Sequence, residues 1–213
     1  HVAALGGRDS LRPFQSIRAS GSLAMPAQGI IGTVEISAAR PNRTLLRAEI
    51  AGIGRIESTF DGERGWTIDP MMGPSLLTGK QLEQAKFDAV FDGPFYDLSR
   101  YTSLTLAGTA TFDGRQAYRV DAVAANGDTS AEYFDVATGL HAGSTSTRET
   151  AMGPAEVISF MRDYRKVGGT LQAHHLVQRS MGVEQEIRIA KIELDVVSPD
   201  TFAMPPAVKA LIK

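Results

Sequence analysis

Alternation of apolar and polar residues recurs along most of this sequence and constrains its fold more than any other feature. In the segment 17–25 the odd positions carry apolar residues or glycine, and most even positions carry polar ones. The same alternation recurs around Val34, Leu46, Leu104 and Tyr118. A period of two residues is typical of a β-strand with one apolar face and one face in water. Sheets of such strands are usually antiparallel.

The residues between these runs favour tight turns. Residues 60–63, 112–115 and 125–128 each contain Asp-Gly or Asn-Gly, dipeptides that tolerate the positive φ of hairpin turns. We therefore predict a mainly β fold, a single curled antiparallel sheet of about ten or eleven strands that forms an unclosed half β-barrel. In the last long strand the alternation slips, which predicts a β-bulge near Ala190 and Lys191.

Helical signals are few. Residues 3–14 predict a short N-terminal helix, weakened by two glycines and a proline. Residues 80–91 predict a longer helix with apolar residues near one face and Thr78 as its cap. The segment 70–101 thus interrupts the sheet pattern, and we expect one domain over residues 1–213 with this segment as a lid.

The stretch 66–80 (WTIDPMMGPSLLTGK) holds the only tryptophan, and the part beyond Ile68 reads as a loop, yet that part contains four large apolar residues, Met71, Met72, Leu76 and Leu77. Loops normally run over the surface in water. Two interpretations stay open: the stretch is a lid over an apolar ligand, for which flexible methionines are suited, or it plugs one end of a closed core. The predicted ligand-binding residues are the apolar ones of the strands and this stretch: Ile17, Leu23, Met25, Val34, Ile36, Ala48, Ile50, Trp66, Met71, Met72, Leu76, Leu77, Leu104 and Leu106.

Several functional classes lack their sequence signals. The net charge is -2 with no basic run, so nucleic-acid binding is not expected. No apolar run is long enough for a transmembrane helix, and the absence of cysteine removes thiol chemistry and Cys-based zinc sites. Residues 73–80 resemble a phosphate loop but have five residues between the glycines instead of four, and Gln81 replaces the required hydroxyl. Residues 51–57 lack the third glycine of a dinucleotide fingerprint.

No catalytic, metal or cofactor site follows from the remaining residues. His174 and His175 are adjacent on a predicted strand and point to opposite faces, so they cannot easily share a metal. A histidine beside a carboxylate of a neighbouring strand stays an alternative, as do paired carboxylates, because strand pairing is not known from sequence. We expect no cofactor and no enzymatic activity.

The order of elements resembles the outer-membrane lipoprotein-sorting proteins, the LolA/LolB-like group. After a helical start and antiparallel strands, Gly65-Trp66 precedes a Pro-rich loop and a helix. The later motifs that carry the resemblance are Tyr133-Phe134-Asp135 with Thr138-Gly139-Leu140, Asp163-Tyr164-Arg165 with Gly168-Gly169, and Phe202-Ala-Met-Pro205. Ala173 stands where a proline is common in that group.

The resemblance implies an unclosed β-barrel with a helical lid and an apolar cavity. It also implies a periplasmic protein of a Gram-negative bacterium, with the signal peptide removed, that carries a lipid, an acyl chain or a lipoprotein without catalysis. A membrane-anchored protein is a further partner to expect. The alternatives are an envelope sensor or protein-interaction module that uses a sheet edge, and an enzyme acting on a small substrate.

Overall fold

The computed structural model describes residues 1–10, 12–93, 95–150 and 152–212. Thirteen strands form one sheet in the order β6-β5-β4-β3-β2-β1-β13-β12-β11-β10-β9-β8-β7. The ends of this order, β6 and β7, are not neighbours, so the sheet is not closed. The predicted antiparallel sheet is confirmed, with two or three more strands than expected. Contacts between residues divide the chain into two compact units. Unit 1 is His1–Pro13 and Pro94–Glu186, and unit 2 is Phe14–Gly93 and Ile187–Lys213.

Unit 2 contains the first six strands, which follow one another as antiparallel neighbours. They are β1 Ser16–Met25, β2 Ile30–Ala39, β3 Arg43–Ile50, β4 Gly54–Phe60, β5 Gly65–Asp69 and β6 Gly73–Leu76. Helix α1 spans Gly79–Asp88, inside the predicted 80–91 apart from one residue, and Thr78 is its N-cap without a side-chain hydrogen bond. Strand β6 lies within the segment that was expected to interrupt the sheet, so that expectation is wrong at residues 73–76.

The C-terminal part of unit 2 packs against the strand ends. After β13, which spans Val183–Leu194, come a 3-10 turn at Pro199–Phe202 and a short helix α2 at Pro206–Lys209. Phe202 forms a buried cluster with Ala39 and Leu45, and Val197 packs against it. The backbone N–H of Asp195 donates to the carbonyl of Ser16 at 2.9 Å, which places the end of β13 beside the start of β1.

Unit 1 holds the other strands, and β13 begins in it. They are β7 Tyr101–Phe112, β8 Arg115–Ala124, β9 Thr129–Asp135, β10 His141–Thr150, β11 Gly153–Val167 and β12 Thr170–Ser180. A buried cluster of Phe112, Ala117, Phe160 and Val177 forms its core, with Tyr133 packed against it.

In the described part of the segment 3–14, residues 3–10 and 12–14, the predicted N-terminal helix does not form. Residues 2–6 make successive turns, and the hydrogen bond from the N–H of Leu5 to the carbonyl of His1 is followed by glycines at φ +118° (Gly6) and +93° (Gly7). Those dihedral angles are outside the α-helical region and suit glycine alone. Among the described residues, no helix has the length and apolar character needed to cross a membrane.

Candidate functional site

One face of the unit 2 sheet is apolar across four strands. Residues that stand opposite one another in neighbouring strands share a face, and the register pairs Gly21 with Val34, Val34 with Ala48, and Ala48 with Ile56. We call this surface the apolar face. Its large members and alanines are Ile17, Ala19, Leu23, Met25, Ile30, Val34, Ile36, Ala38, Leu46, Ala48, Ile50, Ile56 and Phe60.

Seven of the fourteen predicted ligand-binding residues lie together on the apolar face: Ile17, Leu23, Met25, Val34, Ile36, Ala48 and Ile50. The centre of the face is buried, since Val34 and Ala48 are each 3% exposed, whereas Ile17 and Ile36 are half-buried. The sequence analysis missed Ile56 and Phe60, which the pairing of β3 with β4 adds to the face. Extending the alternation through the hairpin 60–65 would have found them.

The opposite face of these strands is mainly polar, and its buried apolar residues Ala39 and Leu45 pack against Phe202. Six charged residues from four strands alternate in sign across it, and their side chains form a chain of ion pairs: Arg18–Glu35, Glu35–Arg47, Arg47–Glu57, Glu57–Arg55 and Arg55–Glu49. Exposed pairs of this kind contribute little each. Their position nevertheless fixes the register, because a slip of one residue would move every charge to the apolar face.

Trp66 and Leu76 do not join the other predicted residues. Phe60 pairs with Gly65, so Trp66 stands opposite Thr59 on the polar-side face, and Leu76 pairs with Trp66. These two residues therefore lie on the other side of the sheet from the apolar face. Trp66 is nevertheless buried. Leu77 lies on the apolar side, because a side chain at Gly65 would meet the Leu77 side chain at 2.7 Å.

Met71 and Met72 occupy the turn between β5 and β6. Their side chains are 84% and 80% exposed, so they neither cover the apolar face nor plug the core in this structure. The expectation that they point inward is wrong. The reason is local: the carboxylate of Asp69 accepts hydrogen bonds from the N–H groups of Met71 and Met72 at 2.7 and 3.0 Å, which closes a tight hairpin turn.

Leu104 and Leu106 lie in unit 1, on strand β7, one of the two edge strands. They pair with Ala122 and Val120, and a β-bulge follows between Leu106 and Gly108. The bulge adds one residue and reverses which side chains share a face. Leu104 and Leu106 therefore do not share a face with Phe112, and Leu106 is largely exposed.

The segment after α1 is fastened to the strand ends of unit 2. The Arg40 guanidinium donates two hydrogen bonds to the Asp92 carboxylate, at 2.7 and 2.5 Å, and lies 4.7 Å above the Phe91 ring. The N–H of Phe91 also donates to the carbonyl of Pro41 at 3.1 Å. A bidentate pair of this kind fixes direction as well as position. Helix α1 is thus tethered at its C-terminal end, a feature that could not be predicted from the sequence because Arg40 and Asp92 are distant along the chain.

In unit 1 one sheet face carries a stack of aromatic rings and, further along, side chains with hydroxyl groups. Phe112 stacks on Tyr133 with 4.0 Å between ring centroids, and Phe160 stacks next to it at 5.2 Å. Further along the same face is an open groove of about 580 Å³. Its lining includes Ser103, Thr105, Thr145, Thr147, Arg119 and Asp121. This groove is lined by polar groups and suits water or a polar ligand rather than an acyl chain.

The histidines of unit 1 are held by local partners. His141 Nε2 lies 2.8 Å from the Glu132 carboxylate, and His174 Nδ1 lies 2.8 Å from the carbonyl of Gln172. His175 Nε2 comes within 3.4 Å of Glu186 without forming a hydrogen bond of good geometry. Within the described parts of the chain, no three His, Asp or Glu side chains converge as a metal-binding group.

Tyr164 and Asp135, both in unit 1, have shifted pKa values. Burial raises the pKa of Tyr164 to about 12, and its hydroxyl donates to the carbonyl of His141 at 2.8 Å. Burial also raises the pKa of Asp135, but hydrogen bonds from the Thr138 hydroxyl and N–H outweigh this, and the pKa lies below its usual range. Asp135 and Thr138 close the turn 135–140, so both residues have a structural role in hairpin formation.

Comparison with solved structures identifies the fold. The chain matches the crystal structure of a LolA superfamily protein from Nitrosomonas europaea with a TM-score of 0.62 and 12% identity, over 95% of this chain and 96% of that one. An outer membrane lipoprotein-sorting protein domain from Vibrio parahaemolyticus matches with a TM-score of 0.61 and 10% identity, over 94% and 92%. A DUF1329 family protein from Desulfovibrio piger matches with a TM-score of 0.61 and 13% identity, over 92% of both chains.

The chain thus has the fold of the LolA superfamily and lipoprotein-sorting proteins, as the sequence motifs predicted. No family model matches the sequence, and no curated protein matches it. At these identities the likeness establishes a shared fold, while the residues themselves carry the argument about function.

Proposed function

We propose that this chain is a non-enzymatic binding or carrier protein of the bacterial envelope that holds a lipid or a lipoprotein acyl chain on the apolar face of unit 2. The observation that carries the proposal is that face itself: four neighbouring strands present only apolar side chains, small residues and two hydroxyls on it. A saturated chain makes no hydrogen bonds, so it needs a surface of this kind. The fold shared with lipoprotein-sorting proteins supports the same class of ligand.

The chemistry of the ligand follows from the face. Each methylene group that leaves water for such a surface contributes about 0.8 kcal/mol, so a long acyl chain binds usefully even after its ordering cost. Ser58 and Thr67 stand opposite each other on β4 and β5 at the margin of the apolar face. Their hydroxyl groups can form hydrogen bonds with a headgroup or a carbonyl of the ligand. We infer a periplasmic location and a donor or acceptor protein at the membrane from the same shared fold.

The proposal is tested with a fluorescent fatty acid and a matched pair of variants. Ile36→Ser changes a half-buried residue of the apolar face, and Ile68→Ser changes a half-buried residue of the opposite face. We expect the wild type to bind the probe and Ile36→Ser to bind it about tenfold more weakly, a loss of about 1.4 kcal/mol. Ile68→Ser should bind as the wild type does.

Two results would contradict the proposal. Wild-type protein, purified from membranes without denaturation, carries no lipid in native mass spectrometry and does not bind the probe. Alternatively, both variants lose the same affinity, in which case the loss follows from general destabilisation. A protein ligand captured in place of lipid would favour the interaction-module alternative.

A further inference from the structure

Three turns of unit 2 lie side by side along one edge of its sheet, the edge formed by the ends of the strands rather than by an outer strand. Because β1 to β6 are consecutive antiparallel neighbours, the turns β1–β2, β3–β4 and β5–β6 all fall at the same edge. The N–H of Ala51 donates to the carbonyl of Ile31 at 3.4 Å, which joins the first two. A side chain at Gly54 would meet the Pro70 ring at 3.6 Å, which joins the second to the third. With strands about 4.8 Å apart, the row is roughly 20 Å long.

The side chains at this edge are apolar and exposed. Met71 and Met72 are 84% and 80% exposed, Ile31 is 67% exposed and Ile53 is 37% exposed. Single exposed apolar residues are ordinary on a protein surface, but a contiguous group marks an interaction site. We call the turns 26–32, 51–54 and 70–74 the apolar edge.

The apolar edge also lacks charge. Residues 26–32 (PAQGIIG), 51–54 (AGIG) and 70–74 (PMMGP) include no Asp, Glu, Lys or Arg, in a chain of which 22% is charged. The turns at the other edge of the same strands differ. Residues 40–43 (RPNR) carry two charges, and residues 61–64 (DGER) carry three. Residues 26–29, 51–54 and 70–72 are exposed, whereas Arg40, Asn42 and Arg43 are half-buried, so exposure does not explain why the first set lacks charge.

Several backbone N–H groups of these turns are satisfied internally. The Asp69 carboxylate accepts from the N–H groups of Met71 and Met72. The N–H of Ile53 donates to the carbonyl of Ile50 at 3.1 Å, and that of Gly29 donates to the carbonyl of Pro26 at 3.2 Å. An unsatisfied N–H would oppose transfer into a medium without hydrogen-bonding partners. These turns can therefore leave water at low cost.

We propose that the apolar edge docks unit 2 onto the surface of a lipid bilayer, with the Met71, Met72 and Ile31 side chains inserted among the upper acyl carbons. The turns project as tips, which suits a fluid surface that closes around them. A rigid protein pocket would be expected to recognise charged groups as well, and the tips offer none; Gln28 is their one polar side chain. Because no charged group takes part, the docking should occur on zwitterionic lipid and depend little on salt.

This inference does not depend on the proposed cargo, and its test can be read separately. The chain contains no cysteine, so a single introduced one takes a label at one site. Met72→Cys carries an environment-sensitive fluorophore at the apolar edge. Val196→Cys is the matched control: Val196 is 45% exposed and follows the end of β13 beside the start of β1, at the other edge. Both are mixed with phosphatidylcholine vesicles, with and without brominated acyl chains.

We expect the label at position 72 to shift to the blue and to be quenched by brominated lipid, and the label at position 196 to do neither. Raising NaCl from about 0.1 M to about 0.5 M should leave the signal nearly unchanged. In flotation with unlabelled protein, Met71→Ser combined with Met72→Ser should weaken vesicle binding by about tenfold or more. Ile53→Ser should weaken it less, and Val196→Ser not at all.

Three outcomes would overturn the inference: no vesicle binding by the wild type, equal quenching at positions 72 and 196, or full binding by the double serine variant. Binding that requires anionic lipid and disappears in salt would also overturn it, since charge would then be the cause. Fatty-acid binding serves as a separate control. A wild type that docks on vesicles but binds no fatty acid contradicts the proposed cargo and leaves the docking edge intact.

Discussion

The two units use the same antiparallel construction and present opposite chemistry on their sheet faces. In unit 2 the residues that stand opposite one another on β2 and β3 are Val34 with Ala48 and Ile36 with Leu46. In unit 1 one face of β8 and β9 pairs Asp121 with Ala131 and Arg119 with Tyr133, and the other face pairs Val120 with Glu132 and Ala122 with Ser130, so each face carries charged or polar side chains. Strand pairing therefore determines the arrangement of the backbone, while the alternate side chains that form one face determine whether that face can bind an acyl chain. That distinction assigns the proposed cargo to unit 2.

The largest effect should come from one substitution made in both faces. Ala48→Lys places an ammonium group at the centre of the apolar face, where Ala48 is 3% exposed and its strand partners are Val34 and Ile56. Overpacking and an unpaired buried charge should together lower the free energy of unfolding by about 5 kcal/mol or more. Urea unfolding followed by Trp66 fluorescence measures this loss.

Ala131→Lys makes the same change in the polar groove of unit 1. There the new ammonium group stands opposite Asp121 and faces water, so we expect a change in unfolding free energy within about 0.5 kcal/mol. Similar losses for both variants would show that the two faces do not differ in the way the side chains indicate.

Two buried phenylalanines, one in each unit, allow a second comparison of the two faces with a smaller expected loss of stability. Phe60 is 2% exposed on the apolar face, and Phe112 is 9% exposed in the ring stack of unit 1. Each change to Ala should lower the unfolding free energy by about 3–4 kcal/mol, because a buried ring is lost and a cavity remains. Chemical denaturation with the fluorescent fatty acid present and absent measures both stability and binding.

The two variants should differ in their affinity for fatty acid. Phe60→Ala removes part of the apolar face, so the folded fraction should bind fatty acid more weakly. Phe112→Ala should leave the affinity of the folded fraction unchanged. If Phe112→Ala weakened binding as much as Phe60→Ala, the assignment of cargo to unit 2 alone would be wrong.

Much of this fold could be predicted from the sequence, because alternation and turn residues act locally. The strands around Val34 and Leu46 form with the predicted parity, and the Asp-Gly turns at 61–62 and 113–114 connect neighbouring strands. Helix α1 forms because residues 79–88 contain no proline and no β-branched residue. The bulge predicted near Ala190 stays a prediction.

The failures share a physical cause, which is that a face is a property of strand pairs. Alternation along β7 was continuous in the sequence, but the bulge after Leu106 separates Leu104 from Phe112. Trp66 was grouped by its neighbours in sequence, although the Phe60–Gly65 pairing turns it to the other face. Met71 and Met72 were expected to be covered because they are apolar. They are exposed instead, because the Asp69 carboxylate closes a tight turn at these residues.

The smallest predicted effect concerns pH and belongs to unit 1 alone. The pKa of Tyr164 is raised to about 12 by burial, above the value of about 10 for an exposed tyrosine. Between these values the unfolded chain releases the phenolic proton and the folded chain retains it. The contribution of Tyr164 to the free energy of unfolding, at most about 2–3 kcal/mol, is therefore fully present below about pH 10. It is lost as pH rises towards 12. Unfolding free energies measured between about pH 9 and 12 should fall across this window.

Tyr164→Phe removes the titrating group together with the hydrogen bond to the carbonyl of His141. The variant should be less stable by about 1 kcal/mol at neutral pH and should lose the Tyr164 part of the decline above pH 10. Tyr118→Phe, at an exposed site, is the matched control and should keep that decline. Since unit 2 contains none of these groups, fatty-acid binding should not follow the Tyr164 titration while the protein stays folded. A wild type whose stability is flat between pH 10 and 12, or a Tyr164→Phe variant with an undiminished decline, would refute the assignment to Tyr164.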